Sequence, residues 1–109
     1  MPVHTHEQGD MFIISLDDRF TMDDNLVFGR TMKEAVATED LKILVLIKTK
    51  ILNSYCLGTL FASFRDLRKR NRTLHVVCTE ESCRTSIRHF DPQGRLPIYS
   101  SLEEVVPEE

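Results

Sequence analysis

From Leu41 to Ile47 the chain reads Leu-Lys-Ile-Leu-Val-Leu-Ile, and only Lys42 interrupts the apolar run. A strand with one wet face alternates apolar and polar side chains, so a continuous run predicts a strand covered on both faces, as in a largely parallel sheet. The run falls far short of the ~20 residues that a helix needs to cross a bilayer. With 109 residues, 41% of them hydrophobic, the chain is long enough for one domain with a genuine core and too short for two.

The segments on either side supply the rest of such a sheet. Gly9-Asp10 is a turn signal between Pro2 to Glu7 and Met11 to Leu16, which predicts an antiparallel hairpin. Thr21 precedes Asp24 in the manner of a capping box. Phe28, Met32, Ala35 and Val36 follow at helical spacing, giving a first helix from about Met22 to Thr38, with Leu26 and Val27 off its apolar stripe. After the central run come Ile51-Leu52 and then Asn53 and Ser54, short oxygen-bearing residues suited to cap a helix. That helix carries Leu57, Leu60, Phe61, Phe64 and Leu67 on one face. Thr73 to Thr79 reads as another buried strand, and Cys83, Ile87 and Phe90 mark a third helix that begins near Glu80 and ends at Asp91-Pro92-Gln93-Gly94. A short strand at Leu96 to Tyr99 and a small helix from Ser101 to Val106 close the chain.

Alternation of this kind predicts an α/β fold. The expectation is one domain over residues 1–109, with 107–109 a solvated tail. Its mixed, mostly parallel sheet should have about four to five strands and about four helices, joined by right-handed crossovers.

Charge and composition narrow the function. A net charge of −3 gives no general reason to expect nucleic acid or an anionic membrane as partner. The one basic cluster, Arg65, Arg68, Lys69, Arg70 and Arg72, falls at the end of a helix. Cations there complement the dipole and stay solvated, and no aromatic residues interleave with them for base stacking. Nothing at the N-terminus reads as a signal segment, and Cys56, Cys78 and Cys83 read as reduced thiols, so a cytoplasmic protein is expected. Cys78 and Cys83 lack the paired short spacing of a zinc site, and His4 and His6 share a strand face without a third ligand. No CxxC and no glycine-rich phosphate loop occurs, so neither metal nor cofactor is expected. A nucleophile elbow at Ser54 would need flanking glycines where Asn53 and Tyr55 stand, and His75, His89 and Asp91 are not placed near it by the pattern. The chain reads as a binding module, not an enzyme.

Ser54 is the polar residue of greatest interest. At a helix start it either caps the helix or offers a hydroxyl among unpaired N–H groups, where a phosphate would be accommodated.

The element order, together with Ile51-Leu52-Asn53-Ser54-Tyr55-Cys56-Leu57-Gly58, resembles the STAS domain family of bacterial anti-sigma-factor antagonists. In that family a strand is followed by an apolar pair, an Asp-Ser or Asn-Ser dipeptide, one or two small residues, and Leu-Gly opening the next helix. Pro97 to Val106 looks like the family's closing strand and helix, and Asp18-Arg19-Phe20-Thr21 occupies the place of its Gly-x-Leu-Asp. The resemblance implies partner switching in transcription regulation. The unmodified domain, a monomer or weak dimer, binds a serine-kinase anti-sigma factor of histidine-kinase-like ATPase fold, and phosphorylation of Ser54 prevents that binding. It places partner contacts at Asn53, Ser54, Tyr55 and Cys56, with Thr21 and Asp23. Three positions depart from the pattern: Asn53 stands where many members have aspartate, Cys56 replaces a glycine, and Thr21 replaces the final aspartate. Two other functions remain on the same residues: an unphosphorylated adaptor in a stress-signalling or lipid-transport complex, and a small serine hydrolase.

Overall fold

In the computed structural model, residues 2–38, 42–50 and 52–105 are described. The chain opens with β1 (Val3–Gln8) and β2 (Met11–Leu16), paired antiparallel with Val3 opposite Leu16 and Gln8 opposite Met11. Gly9 between them has φ of 61°, the positive value that a two-residue hairpin loop asks of a glycine at its first position. Then follow α1 (Asn25–Ala37), β3 (Lys42–Ile47), α2 (Ser54–Lys69), β4 (Leu74–Cys78), α3 (Glu81–Phe90) and β5 (Ile98–Tyr99). The sheet order is β1-β2-β3-β4-β5, with every pair after the hairpin parallel.

Strands that follow one another in the sheet, each joined through a helix, place all three helices on one face when the crossovers share the right-handed sense. The packing has that arrangement. Phe28 and Met32 of α1, Leu60 and Leu67 of α2, and Ile87 of α3 form one core with Ile14, Leu16, Ile43, Val45, Ile47, Leu74 and Val76. The alternate residues Met11, Ile13, Leu44, Leu46 and Val77 form a second, smaller cluster on the other face, covered by Tyr99, Leu102 and Val105. β3 is therefore buried on both faces from Ile43 to Ile47, as its apolar run requires. Leu41 and Ile51, which the sequence also assigns to apolar segments, lie outside the described residues, as does Val106.

Two expectations are corrected. The described residues hold three α-helices, not about four, because the closing segment forms only a 3₁₀ turn at Leu102–Glu104. Its bonds run from Glu104 N–H to Ser101 and from Val105 N–H to Leu102, the short ladder a segment adopts when it cannot meet the cost of nucleating an α-helix. Nor is the whole basic cluster solvated. α2 ends in a Schellman motif: Asn71 takes a left-handed φ of 59° and Arg72 N–H donates to Leu67 O at 2.8 Å. This reversal aims two guanidiniums at the last turn of α1, where Arg70 donates to Val36 O at 3.0 Å and Arg72 donates to Val36 O and Thr38 O. They satisfy carbonyls that the end of α1 leaves open. Among the described residues no helix is long and apolar enough to cross a membrane.

Candidate functional site

In an open α/β sheet, ligands and partners meet the crevice beyond the carboxyl ends of the strands. Here that edge carries an open groove of about 1090 Å³ where β2, β3 and β4 end, lined by Asp17, Thr21, Lys48, Lys50, Asn53 and Glu80 among others. Each wall has a local cause. After β2, the Asp17 carboxylate accepts from the Arg19 N–H at 2.8 Å, the Arg19 guanidinium at 3.2 Å and the His4 ring at 3.3 Å. The backbone bond from Arg19, followed by those side chains, holds the Asp17 carboxyl below its usual range. Phe20 anchors this loop, packing edge-on to Phe28 with centroids 6.0 Å apart. The 3₁₀ turn Met22–Asp24 leads into α1, and the Asp24 carboxylate reaches back to the Thr21 N–H at 2.8 Å, the bond expected of Thr21 and Asp24 as a capping pair.

The junction between β3 and α2 decides which of two oxygen-bearing residues caps the helix. Asn53 is extended (φ −74°, ψ 160°), and its side-chain oxygen accepts from the Cys56 N–H at 2.8 Å. The same oxygen accepts from Asn25 Nδ2 at 3.2 Å, joining the start of α2 to the start of α1. Capping therefore belongs to Asn53. Ser54 is the first residue of α2; it is exposed, and its hydroxyl makes no hydrogen bond to a described residue. The first turn of α2 contains no acidic side chain of its own.

The edge near Ser54 carries exposed apolar side chains. The most exposed large apolar side chains among the described residues are Met22 (72%), Leu26 (71%), Tyr55 (66%) and Phe90 (49%). The first three belong to the two helix starts that the Asn25–Asn53 bond joins: Met22 in the 3₁₀ turn before α1, Leu26 in the first turn of α1, and Tyr55 after the serine. Thr21 and Asp23 are exposed on the same turn. The structure thus brings Thr21, Asp23, Asn53, Ser54 and Tyr55 to one edge.

Cys56 is the exception among the residues expected to touch a partner. It is fully buried beneath the first turn of α2, because the third helical position points inward where Asn53 caps, and it offers no surface. Burial, with Cys83 nearby, pushes its thiol up to about 12. Cys78 and Cys83 lie 3.3 Å apart at Sγ, also buried, and the hydrogen bond they share, followed by burial, raises the Cys78 thiol further still. No group of three or more His, Cys, Asp or Glu that could hold a metal occurs among the described residues.

The residues weighed for a serine hydrolase are not brought together. His75 lies opposite Leu44 on the other face of the sheet, half-buried, with its pKa lowered by burial and then by Lys42. His89 is in the last turn of α3, and Asp91, just beyond it, spends a carboxylate oxygen on the Leu96 N–H at 2.9 Å. Since α3 runs back from the carboxyl edge, both lie at the end of the molecule away from Ser54. Compared with known families and with curated proteins, the chain matches none.

Sequence reasoning missed two residues of this edge. Met22 carried no signal as a surface residue. Asn25, buried with one oxygen lacking a partner among the described residues, shows its role only through Asn53, distant in sequence. Leu26 did carry a signal, since it falls off the apolar stripe.

Proposed function

We propose that this protein is an anti-sigma-factor antagonist of the STAS type, a cytoplasmic partner-switching protein and not an enzyme. Its carboxyl edge docks on a serine-kinase anti-sigma factor with a histidine-kinase-like ATPase fold, and phosphorylation of Ser54 controls that docking. The observation that carries this reading is the unengaged, exposed Ser54 hydroxyl beside a helix cap already made by Asn53, with exposed Tyr55 next to it and exposed Met22 and Leu26 at the neighbouring start of α1. Exposed apolar side chains beside a spare hydroxyl are what a phosphorylation-sensitive docking surface needs.

Docking would remove Met22, Leu26 and Tyr55 from water, which favours association. A phosphate on Ser54 adds about −1.5 to −2 charges at that edge. It would gain some stabilisation from the free N–H groups at the start of α2, but burying it against an apolar partner surface carries a desolvation cost that the patch cannot offset. The modified form therefore stays folded and loses its partner.

The test is capture of the kinase partner by immobilised full-length protein. Ser54→Asp is expected to weaken capture at least tenfold, about 1.4 kcal/mol or more, while Ser54→Ala retains it. Equal capture by both would overturn the switch, and a Ser54 that mass spectrometry finds unmodified in growing and stressed cells alike would favour an adaptor role.

A further inference from the structure

On the flank of the molecule, α2 and the end of α3 border a second groove of about 640 Å³, lined by Phe61, Phe64, Phe90, Arg65, Arg68 and Arg95 among others. Its floor is aromatic. Phe61 and Phe90 stack with centroids 4.9 Å apart, and Phe90 remains 49% exposed although it ends the apolar stripe of α3. Its rim is cationic. Arg68 lies over the Phe64 ring at 5.6 Å from its centroid, and Arg65 and Arg95 are exposed beside it.

None of these three guanidiniums forms an ion pair with a described residue; the pairs present join Asp17 to His4 and Arg19, and Asp10 to Lys42. The one carboxylate in the lining, Asp91, is buried and committed to the Leu96 N–H. A protein of net charge −3 thus concentrates unmatched positive charge around an apolar floor. Arg70 and Arg72, by contrast, bond the end of α1, and Arg84 donates to Cys78 O.

We propose that this groove docks an acidic segment of a partner protein. Carboxylates of the segment pair with Arg65, Arg68 and Arg95, in the forked geometry that guanidinium favours, and one aromatic or aliphatic anchor packs on Phe61 and Phe90. Charge complementarity selects an acidic ligand, and the apolar floor selects a peptide over a polyphosphate chain. The groove meets the shallow depression beside Ser54 at Gly58, yet its chemistry does not depend on what Ser54 does.

The probe is a fluorescein-labelled nonapeptide with a central Phe-Leu pair flanked by Asp and Glu, followed by fluorescence anisotropy with the full chain at low salt. Saturable binding that weakens with added salt is expected. The double variant Arg68→Glu/Arg95→Glu is expected to weaken it at least about tenfold, and Phe90→Ser to weaken it severalfold. All of these positions are exposed, and a parental far-UV circular-dichroism spectrum at the assay temperature confirms that each variant is folded. The proposal is overturned if the peptide does not bind, if replacing Phe-Leu by Ser-Ser leaves its affinity unchanged, if the arginine variant binds as the parent does, or if single-stranded RNA or phosphatidylserine vesicles bind the groove as tightly.

Discussion

Two strand-to-helix junctions stand side by side at the carboxyl edge of the parallel sheet, and each brings a serine to the start of a helix. After β3, the Asn53 side chain caps α2, and Ser54 is left exposed and unengaged. After β4, the N-cap residue Glu80 makes no side-chain cap bond, and Ser82 donates its hydroxyl to Lys50 O at 2.8 Å, tying the start of α3 to the loop after β3. The Thr79 N–H adds a bond to Ile47 O at 3.1 Å. The first turn of α3 also carries Glu81, which meets the positive end of its own dipole, whereas the first turn of α2 has no such residue. A serine near a helix start is thus ambiguous by itself. What separates the two is that a carbonyl from the loop after β3 meets the Ser82 hydroxyl, whereas at Ser54 the cap is made by Asn53 and no described acceptor meets the hydroxyl.

The largest effect should come from disturbing what lies beneath both junctions. Cys56, under α2, is fully buried within the electrostatic reach of Cys83 in α3. Cys56→Ser exchanges a thiol that tolerates an apolar site for a hydroxyl that demands a partner. The expected loss is about 1–3 kcal/mol of unfolding free energy, read from urea denaturation. A smaller loss would mean that the hydroxyl finds a backbone acceptor in the first turn of α2.

Next comes the cap itself. Asn53→Ala removes the acceptor for the Cys56 N–H and for Asn25, and is expected to cost about 1 kcal/mol, within the ordinary range of about 0.5–2 for a lost N-cap. Asn53→Asp keeps the oxygen and should retain the cap, so the pair of variants separates loss of the hydrogen bond from loss of side-chain volume. A cost near zero for Asn53→Ala would show Ser54 moving into the capping role, and would erase the difference between the two junctions.

How far these distinctions can be read in the sequence depends on the distance over which each is decided. The run from Ile43 to Ile47 and the stripes Phe28, Met32, Ala35, Val36 and Leu57, Leu60, Phe64, Leu67 reflect burial against a sheet, a periodic property of one segment, and are buried as the pattern requires, whereas Phe61 of the second stripe is only partly buried. The hairpin was legible from Gly9 for a similarly local reason. Choosing between Asn53 and Ser54 as cap was not possible, because both residue types accept the same bond and a shift of one residue decides between them. Phe90 sits on the stripe with Cys83 and Ile87 but ends half-exposed, since its place at the last position of α3 carries it past the main core and onto Phe61. The arginine cluster divided for a tertiary reason as well: Arg70 and Arg72 face the end of α1, while Arg68 lies on Phe64, and no linear spacing distinguishes those neighbours.

The finest test compares the two hydroxyls directly. Ser82→Ala deletes the bond to Lys50 O and is expected to cost about 0.5–1 kcal/mol, at the lower end for a neutral hydrogen bond because the site is exposed. Ser54→Ala deletes no bond to a described residue and puts the best helix former at the first position of α2, so its effect on unfolding free energy should stay within about 0.5 kcal/mol of zero. Parallel denaturation of both variants gives the ordering. If Ser54→Ala proved the more destabilising of the two, the Ser54 hydroxyl would hold a structural bond in solution, and phosphorylation there would unfold the junction instead of merely charging its surface. The proposed switch would then act by disorder, and Ser54→Asp would lower the melting temperature as well as partner capture.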